Sequence, residues 1–196
     1  MHEVRADEVA TVYGALARAF EDDPVTAFLF PEGSSRIDRL LAFYRVTTPW
    51  LTEQGRFFTD TGLRGGAIWQ APRPARVGTA WTLLRLLRTG LVLRGRARAG
   101  LVLGQAIESM RVRQPHWYLG ILGTQPEDQG RGIGSELIEP ILEVCDRTRE
   151  IAYLESSKAV NIPFYERHGF EVMGEVEVPR GPVLWPMVRQ PQRGRA

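Results

Sequence analysis

The residues richest in chemical potential are Gln129-Gly130-Arg131-Gly132-Ile133-Gly134, with Ser135 behind them. They follow an apolar, strand-like run from Trp117 to Leu122 and open a helical run that begins near Ile133. Glycines leave backbone N–H groups uncovered, so the oxygens of an anion can approach the main chain. The helix start adds unpaired amides and a partial positive charge. Two familiar phosphate turns fail on spacing. A G-x-G-x-x-G fingerprint read from Gly130 puts Ser135 at its last position, and read from Gly132 it puts Leu137 there. A G-x-x-x-x-G-K-[ST] loop needs a Gly-Lys pair, and the chain has none.

A second constellation lies downstream. The helix from Ile133 to about Thr148 leads to Ile151-Ala152-Tyr153-Leu154-Glu155, a short apolar run that reads as a buried strand. Then comes Asn161-Ile162-Pro163-Phe164-Tyr165-Glu166-Arg167-His168-Gly169-Phe170. Asn161 suits a helix N-cap, Pro163 a first turn and Gly169 the C′ position. Strands are expected at Phe170–Val178 and Val183–Val188, separated by the turn Pro179-Arg180-Gly181-Pro182.

The pair Q-G-R-G-I-G and N-I-P-F-Y-E-R-H-G-F resembles the GNAT superfamily of acyl-CoA-dependent N-acetyltransferases, and within it the puromycin N-acetyltransferase-like branch. The likeness covers His116 to Val188 and, more loosely, the acidic turn Ala19 to Pro31. It implies an α/β (α+β) fold, a mixed central sheet flanked by helices. It also implies acetyl-CoA as donor, no metal, and a primary amine as acceptor, more in keeping with a small molecule than with a protein N-terminus or lysine. The alternatives kept open are a GNAT module that binds acyl-CoA without turnover and a protein N-acetyltransferase. Many relatives pair, so the resemblance admits a homodimer.

The resemblance also distributes roles. Leu122, Gly123 and Thr124 supply main-chain groups to the pantetheine arm, and one of these amides polarises the thioester carbonyl. The amides of Arg131, Gly132, Ile133, Gly134 and Ser135, after Gly130, take the pyrophosphate, with side-chain help from Gln129 and Arg131. Tyr165 occupies the tyrosine position of the family helix and protonates the departing thiolate. Asn161 bonds the pantetheine arm, although helix capping would equally explain it. Glu155 is a candidate general base, working through water, and His116 is a second candidate with a useful ordinary pKa. His168 has no catalytic role.

The elements that hold these groups can be read coarsely. Asp7–Glu21 is a first helix, and Ser35 caps a second that runs to about Glu53. Strands follow at Arg56–Asp60 and Gly66–Gln70. Pro140 falls inside the helix after the glycine turn and reads as a kink, not an end. Between Arg73 and Arg113 nine arginines face one acid, Glu108. Trp81, Leu84, Leu87 and Leu91 recur there at helical spacing, which describes an amphipathic helix with a solvated arginine face. A sharper reading makes this stretch (about 73–113) a helical insertion before the cofactor strand, covering the substrate side, with arginines near the 3′-phosphate of coenzyme A. Nucleic-acid binding is disfavoured because no aromatic stacking pattern accompanies the arginines.

With 196 residues and 43% hydrophobic content, the chain suits one domain over 1–189, with a disordered tail at 190–196. The lone Cys145 excludes a disulfide framework and reads as a small buried side chain. No stretch reaches the roughly 20 apolar residues of a membrane span, and the N-terminus has no apolar leader, so the expected location is cytoplasmic. Acidic Glu21, Asp22 and Asp23, with Phe28, Phe30, Phe43 and Tyr44, are candidates to shape an amine pocket.

Overall fold

The computed structural model describes residues 1–31, 35–53, 55–72, 87–93 and 95–192. The strands are β1 (His2–Glu3), β2 (Gly55–Thr59), β3 (Gly65–Gln70), β4 (His116–Thr124), β5 (Ile151–Ser156), β6 (Glu171–Val172), β7 (Val176–Glu177) and β8 (Val183–Arg189). The helices are α1 (Val9–Ala19), α2 (Pro24–Leu29), α3 (Arg36–Thr52), α4 (Ala97–Met110), α5 (Ile133–Thr148) and α6 (Ile162–Arg167), with residues 87–93 also helical. The sheet runs β1-β2-β3-β4-β5-β8-β6, and β7 pairs with β8. Every pairing is antiparallel except β4 with β5. The expected mixed α/β architecture is therefore present.

Pleating sorts the side chains of β3: Ala67 and Trp69 face α5, whereas Ile68 faces the opposite side. On α5, residues Ile133, Leu137, Ile141 and Cys145 recur at i, i+4, with Ile138 and Leu142 beside them, and all six are buried. They meet Leu119, Ala152, Leu154, Phe170 and Met187 to fill one core. The other face is covered by α1, α2, α3 and α4 through Val12, Leu16, Leu29, Leu40, Tyr44 and Leu103. The helix α5 continues unbroken through Pro140.

Two local features open the sheet. The β4–β5 ladder consists of three pairs, His116↔Ile151, Trp117↔Ala152 and Tyr118↔Tyr153, although β4 continues to Thr124 and β5 to Ser156. The β3–β4 register shifts between Ile68↔Ile121 and Trp69↔Leu119, leaving Gly120 as the extra residue of a bulge. A bulge bends its strand and increases the local twist. Past Tyr118, β4 and β5 therefore diverge.

Several expectations need adjustment. Helix α1 is shorter than Asp7–Glu21 because Glu8, at its N-cap, uses its carboxylate to accept the Arg5 amide and to pair with His2. The six-residue α2 is too short to show a period; Asp23 caps it, accepting the Val25 and Thr26 amides, with Pro24 at its first position. Ser35 and Asn161 occupy N-cap positions without side-chain capping bonds. The strand expected over Phe170–Val178 is split into β6 and β7, with Gly174 in the gap and β8 carrying Pro186, which has no N–H to donate. Trp81 and Leu84 lie outside the described residues. Leu87 and Leu91 are exposed, while Leu93 is buried, so those two leucines do not form the buried stripe. Tail residues 193–196 also lie outside the described residues.

Candidate active site

The divergence of β4 from β5 creates a cleft of about 670 Å³. One wall is the β4 backbone from Leu119 to Thr124, whose β5-facing edge has no ladder partner. The opposite wall is Leu154 to Lys158, with Asn161, Phe164 and Tyr165. The floor is the glycine turn, and Phe20, Asp22 and Asp23 of the α1–α2 connection close the remaining side.

The turn has the geometry its sequence demands. Gly130 (φ 76°) and Gly132 (φ 84°) both occupy left-handed backbone, which glycine adopts without the penalty an L side chain meets. A Cβ added at either would enter open space, so the main chain there is uncovered toward the cleft. Gly134 is different, because its Cβ would touch the Phe164 ring at 3.4 Å. Buried Asp128 braces the turn, accepting Gln125 Nε2 at 2.6 Å and pairing with Arg131 at 2.9 Å. Gln129 Nε2 donates to the Thr124 carbonyl at 3.0 Å, tying turn to strand.

Of the predicted site residues, Leu122, Gly123, Thr124, Gln129, Gly130, Gly132, Ile133, Gly134, Ser135, Glu155, Asn161 and Tyr165 all line this one cleft. Arg131 does not, since its guanidinium turns to Asp128. No arginine of the described part of 73–113 lines it either. Arg96 instead donates to the Phe28 carbonyl at 2.6 Å, and Arg111 sits 4.9 Å over the Tyr118 ring. These contacts do not favour a 3′-phosphate role.

Tyr165 has a buried ring packed edge-on against Phe164 and Phe170, with centroids at 5.1 and 5.9 Å. Burial, then the nearby Asp23 charge, raise its phenol above the ordinary value. A phenol held protonated at every working pH can act as a donor. Glu155 belongs to the same wall, near the end of β5. Burial raises its carboxyl, and the Tyr118 hydroxyl, donating to Oε2 at 2.8 Å, opposes that rise. Its Oε1 and the Tyr153 hydroxyl are buried without hydrogen-bond partners among the described residues. A carboxylate whose proton affinity is raised by burial is a stronger base than an exposed one.

His116 is elsewhere. Its Nδ1 is 2.7 Å from the Gln114 carbonyl, and its ring stacks edge-on against Tyr153 outside the cleft. His168 does approach the site indirectly, with Nε2 2.9 Å from Ser135 Oγ at the start of α5. Sequence reasoning missed Tyr118, Asp128 and the fastening of the acidic turn. Asp23 caps α2 and accepts the Ser157 hydroxyl, and Asp22 pairs with Lys158 at 2.6 Å. The aromatics Phe30 and Tyr44 are core, not cleft. Tyr118 carried one signal: it alternates with Trp117 and Leu119 and so had to face the side opposite α5.

Residues 92–172 match the family model of the acetyltransferase (GNAT) domain. An uncharacterized N-acetyltransferase of Schizosaccharomyces pombe is 27% identical over 210 residues, covering 96% of this chain and 82% of that one. Among solved structures, histone acetyltransferase HPA2 and related acetyltransferase from Corynebacterium glutamicum superposes with a TM-score of 0.69 at 18% identity, covering 100% of this chain and 97% of that one. Arylalkylamine N-acetyltransferase 2 from Aedes aegypti gives 0.62 at 12% identity over 97% and 98%. The cleft between parallel strands above a glycine turn accords with these likenesses: residues 92–172 are similar to the acetyltransferase (GNAT) domain, and the fold of the whole chain is shared with solved acetyltransferase structures.

Proposed function

We propose that the protein transfers the acetyl group of acetyl-CoA to a primary amine of a small molecule. The observation that carries this reading is the convergence of an anion-binding turn, an unpaired β4 edge, a raised carboxyl and a protonated phenol in one cleft. The uncovered amides of the glycine turn at the start of α5 suit the pyrophosphate, and Leu122–Thr124 suit the pantetheine arm. Bound acetyl-CoA would supply an acetyl group already activated as a thioester.

The chain's own groups do the rest. Glu155 takes the proton that the attacking amine must lose, with Tyr118 holding its Oε2. A β4 amide stabilises the charge that develops on the carbonyl oxygen. Tyr165 returns a proton to the departing sulfur. The likeness of the glycine turn and the α6 segment to the puromycin N-acetyltransferase-like branch supports a small acceptor, but the N-terminal half of the chain diverges from that branch, so puromycin itself does not follow. The test is titration calorimetry of acetyl-CoA into the wild type and a Gly132→Glu variant, followed by coenzyme A release across a panel of amines. Micromolar binding that the variant loses, with release on some amine, supports the reading. A wild type that binds no acetyl-CoA refutes it.

A further inference from the structure

We propose that Lys158 is an acetylation site of the protein itself, its side-chain amine serving as an internal acceptor in the cleft. This rests on the acetyl-CoA reading above. Lys158 is the only lysine in the chain. The many arginines carry guanidinium groups that stay charged and do not attack thioesters. Lys158 follows β5 directly and lines the same cleft as Glu155, Tyr165 and the glycine turn. Its side chain is 25% exposed, and Nζ is 2.6 Å from Asp22 Oδ1, on the α1–α2 connection that forms another wall of that cleft.

A primary amine is thus already tethered where an acyl donor would lie. Tethering replaces diffusional capture by an effective concentration on the order of millimolar, and the flexible four-carbon stem lets the nitrogen move off Asp22. The step balances without a further reagent. The ammonium proton passes to solvent by way of the Asp22 carboxylate, which is 82% exposed. The nitrogen lone pair then attacks the thioester carbonyl of acetyl-CoA. The C–N bond forms as the C–S bond breaks, and the sulfur keeps the electron pair and takes a proton from Tyr165. The second proton leaves the acylated nitrogen and, through solvent, restores the Tyr165 phenol, giving the neutral amide and coenzyme A. The amide is neutral and cannot pair with Asp22. The acidic turn is then fastened to the end of β5 by the Asp23–Ser157 bond alone among the two described here.

The experiment incubates the full chain with isotope-labelled acetyl-CoA and reads intact mass and fragmented peptides, beside Lys158→Arg and Gly132→Glu. The expected result is one labelled acetyl group on Lys158, gained at a rate independent of protein concentration and absent from both variants. If the glycine variant does not fold, excess coenzyme A added to the wild type must suppress labelling instead. Label on Met1 or elsewhere, label that persists without a competent cleft, or a rate that scales with protein concentration overturns the proposal. A wild type that releases coenzyme A on added amines while Lys158 stays unlabelled also overturns it, and leaves the proposed function standing. A wild type that binds no acetyl-CoA in the titration ends both.

Discussion

Removing one hydroxyl, in Tyr118→Phe, tests whether Glu155 is the base. The hydroxyl donates to Oε2 at 2.8 Å and favours the ionised carboxylate, so its loss raises the proton affinity of Glu155. A hydrogen bond to a charged partner contributes roughly 1.5–3 kcal/mol, and about 1.4 kcal/mol corresponds to one pH unit. The low end applies, because the positive Arg111 remains beside the carboxylate and the cleft admits water. The acid limb of the kcat/KM profile should therefore move up by about one pH unit. Dividing the wild-type profile by the variant's cancels the titration of the acceptor amine. The ratio should be about tenfold at low pH and fall to near one where Glu155 is ionised in both. A uniform loss at all pH values, with no displaced limb, would mean that Tyr118 only supports the fold or that Glu155 takes no proton.

The other expectations concern separate parts of the molecule. Tyr165→Phe should cut turnover roughly a hundredfold, the low end of a general-acid effect, while acetyl-CoA affinity by calorimetry stays unchanged. Affinity falling in step with turnover would make Tyr165 a packing residue. Arg189→Met strands Asp146, which now accepts two guanidinium bonds at 2.7 and 2.8 Å. It should cost about 2–3 kcal/mol in urea unfolding, under the range for a fully buried pair because Asp146 is partly exposed. Arg189 holds the Asp146 carboxyl below its ordinary value. That contribution is complete above the unfolded value of about 3.9 and disappears as pH falls through the lower folded one, so the wild-type advantage should shrink below about pH 4. Leu137→Ala, at a fully buried position of α5, should cost roughly 3–5 kcal/mol. A loss under 1 kcal/mol would contradict the described core.

The C-terminal half was legible because its signals are local. A glycine turn before a periodic helix, and a short helix ending at Gly169 (φ 83°), each announce themselves within a few residues. The cleft-lining set came from the family resemblance that the same stretch carries. What stayed hidden depends on distant partners: nothing near Glu155 in sequence reveals the Tyr118 hydroxyl, 37 residues away. Nor does the acidic turn reveal that Lys158 and Ser157 hold it. The amphipathic stripe at Leu87 and Leu91 was misread for a related reason, since helical spacing fixes which residues share a face but not whether anything covers that face.

The three-pair β4–β5 ladder has a mechanical consequence. The antiparallel run β1–β4 and the group β5–β8 are two stiff half-sheets joined by that short seam at one end. Such a joint resists sliding well but resists rotation poorly, so the angle between the halves is a soft coordinate and sets the gap between β4 and β5. Helix α5 bridges the seam from beneath, packing on β3, β4 and β5 together, and acts as the splint that fixes the angle. Cofactor affinity should therefore respond to substitutions under the splint, such as Leu137→Ala, whose side chain faces away from any ligand.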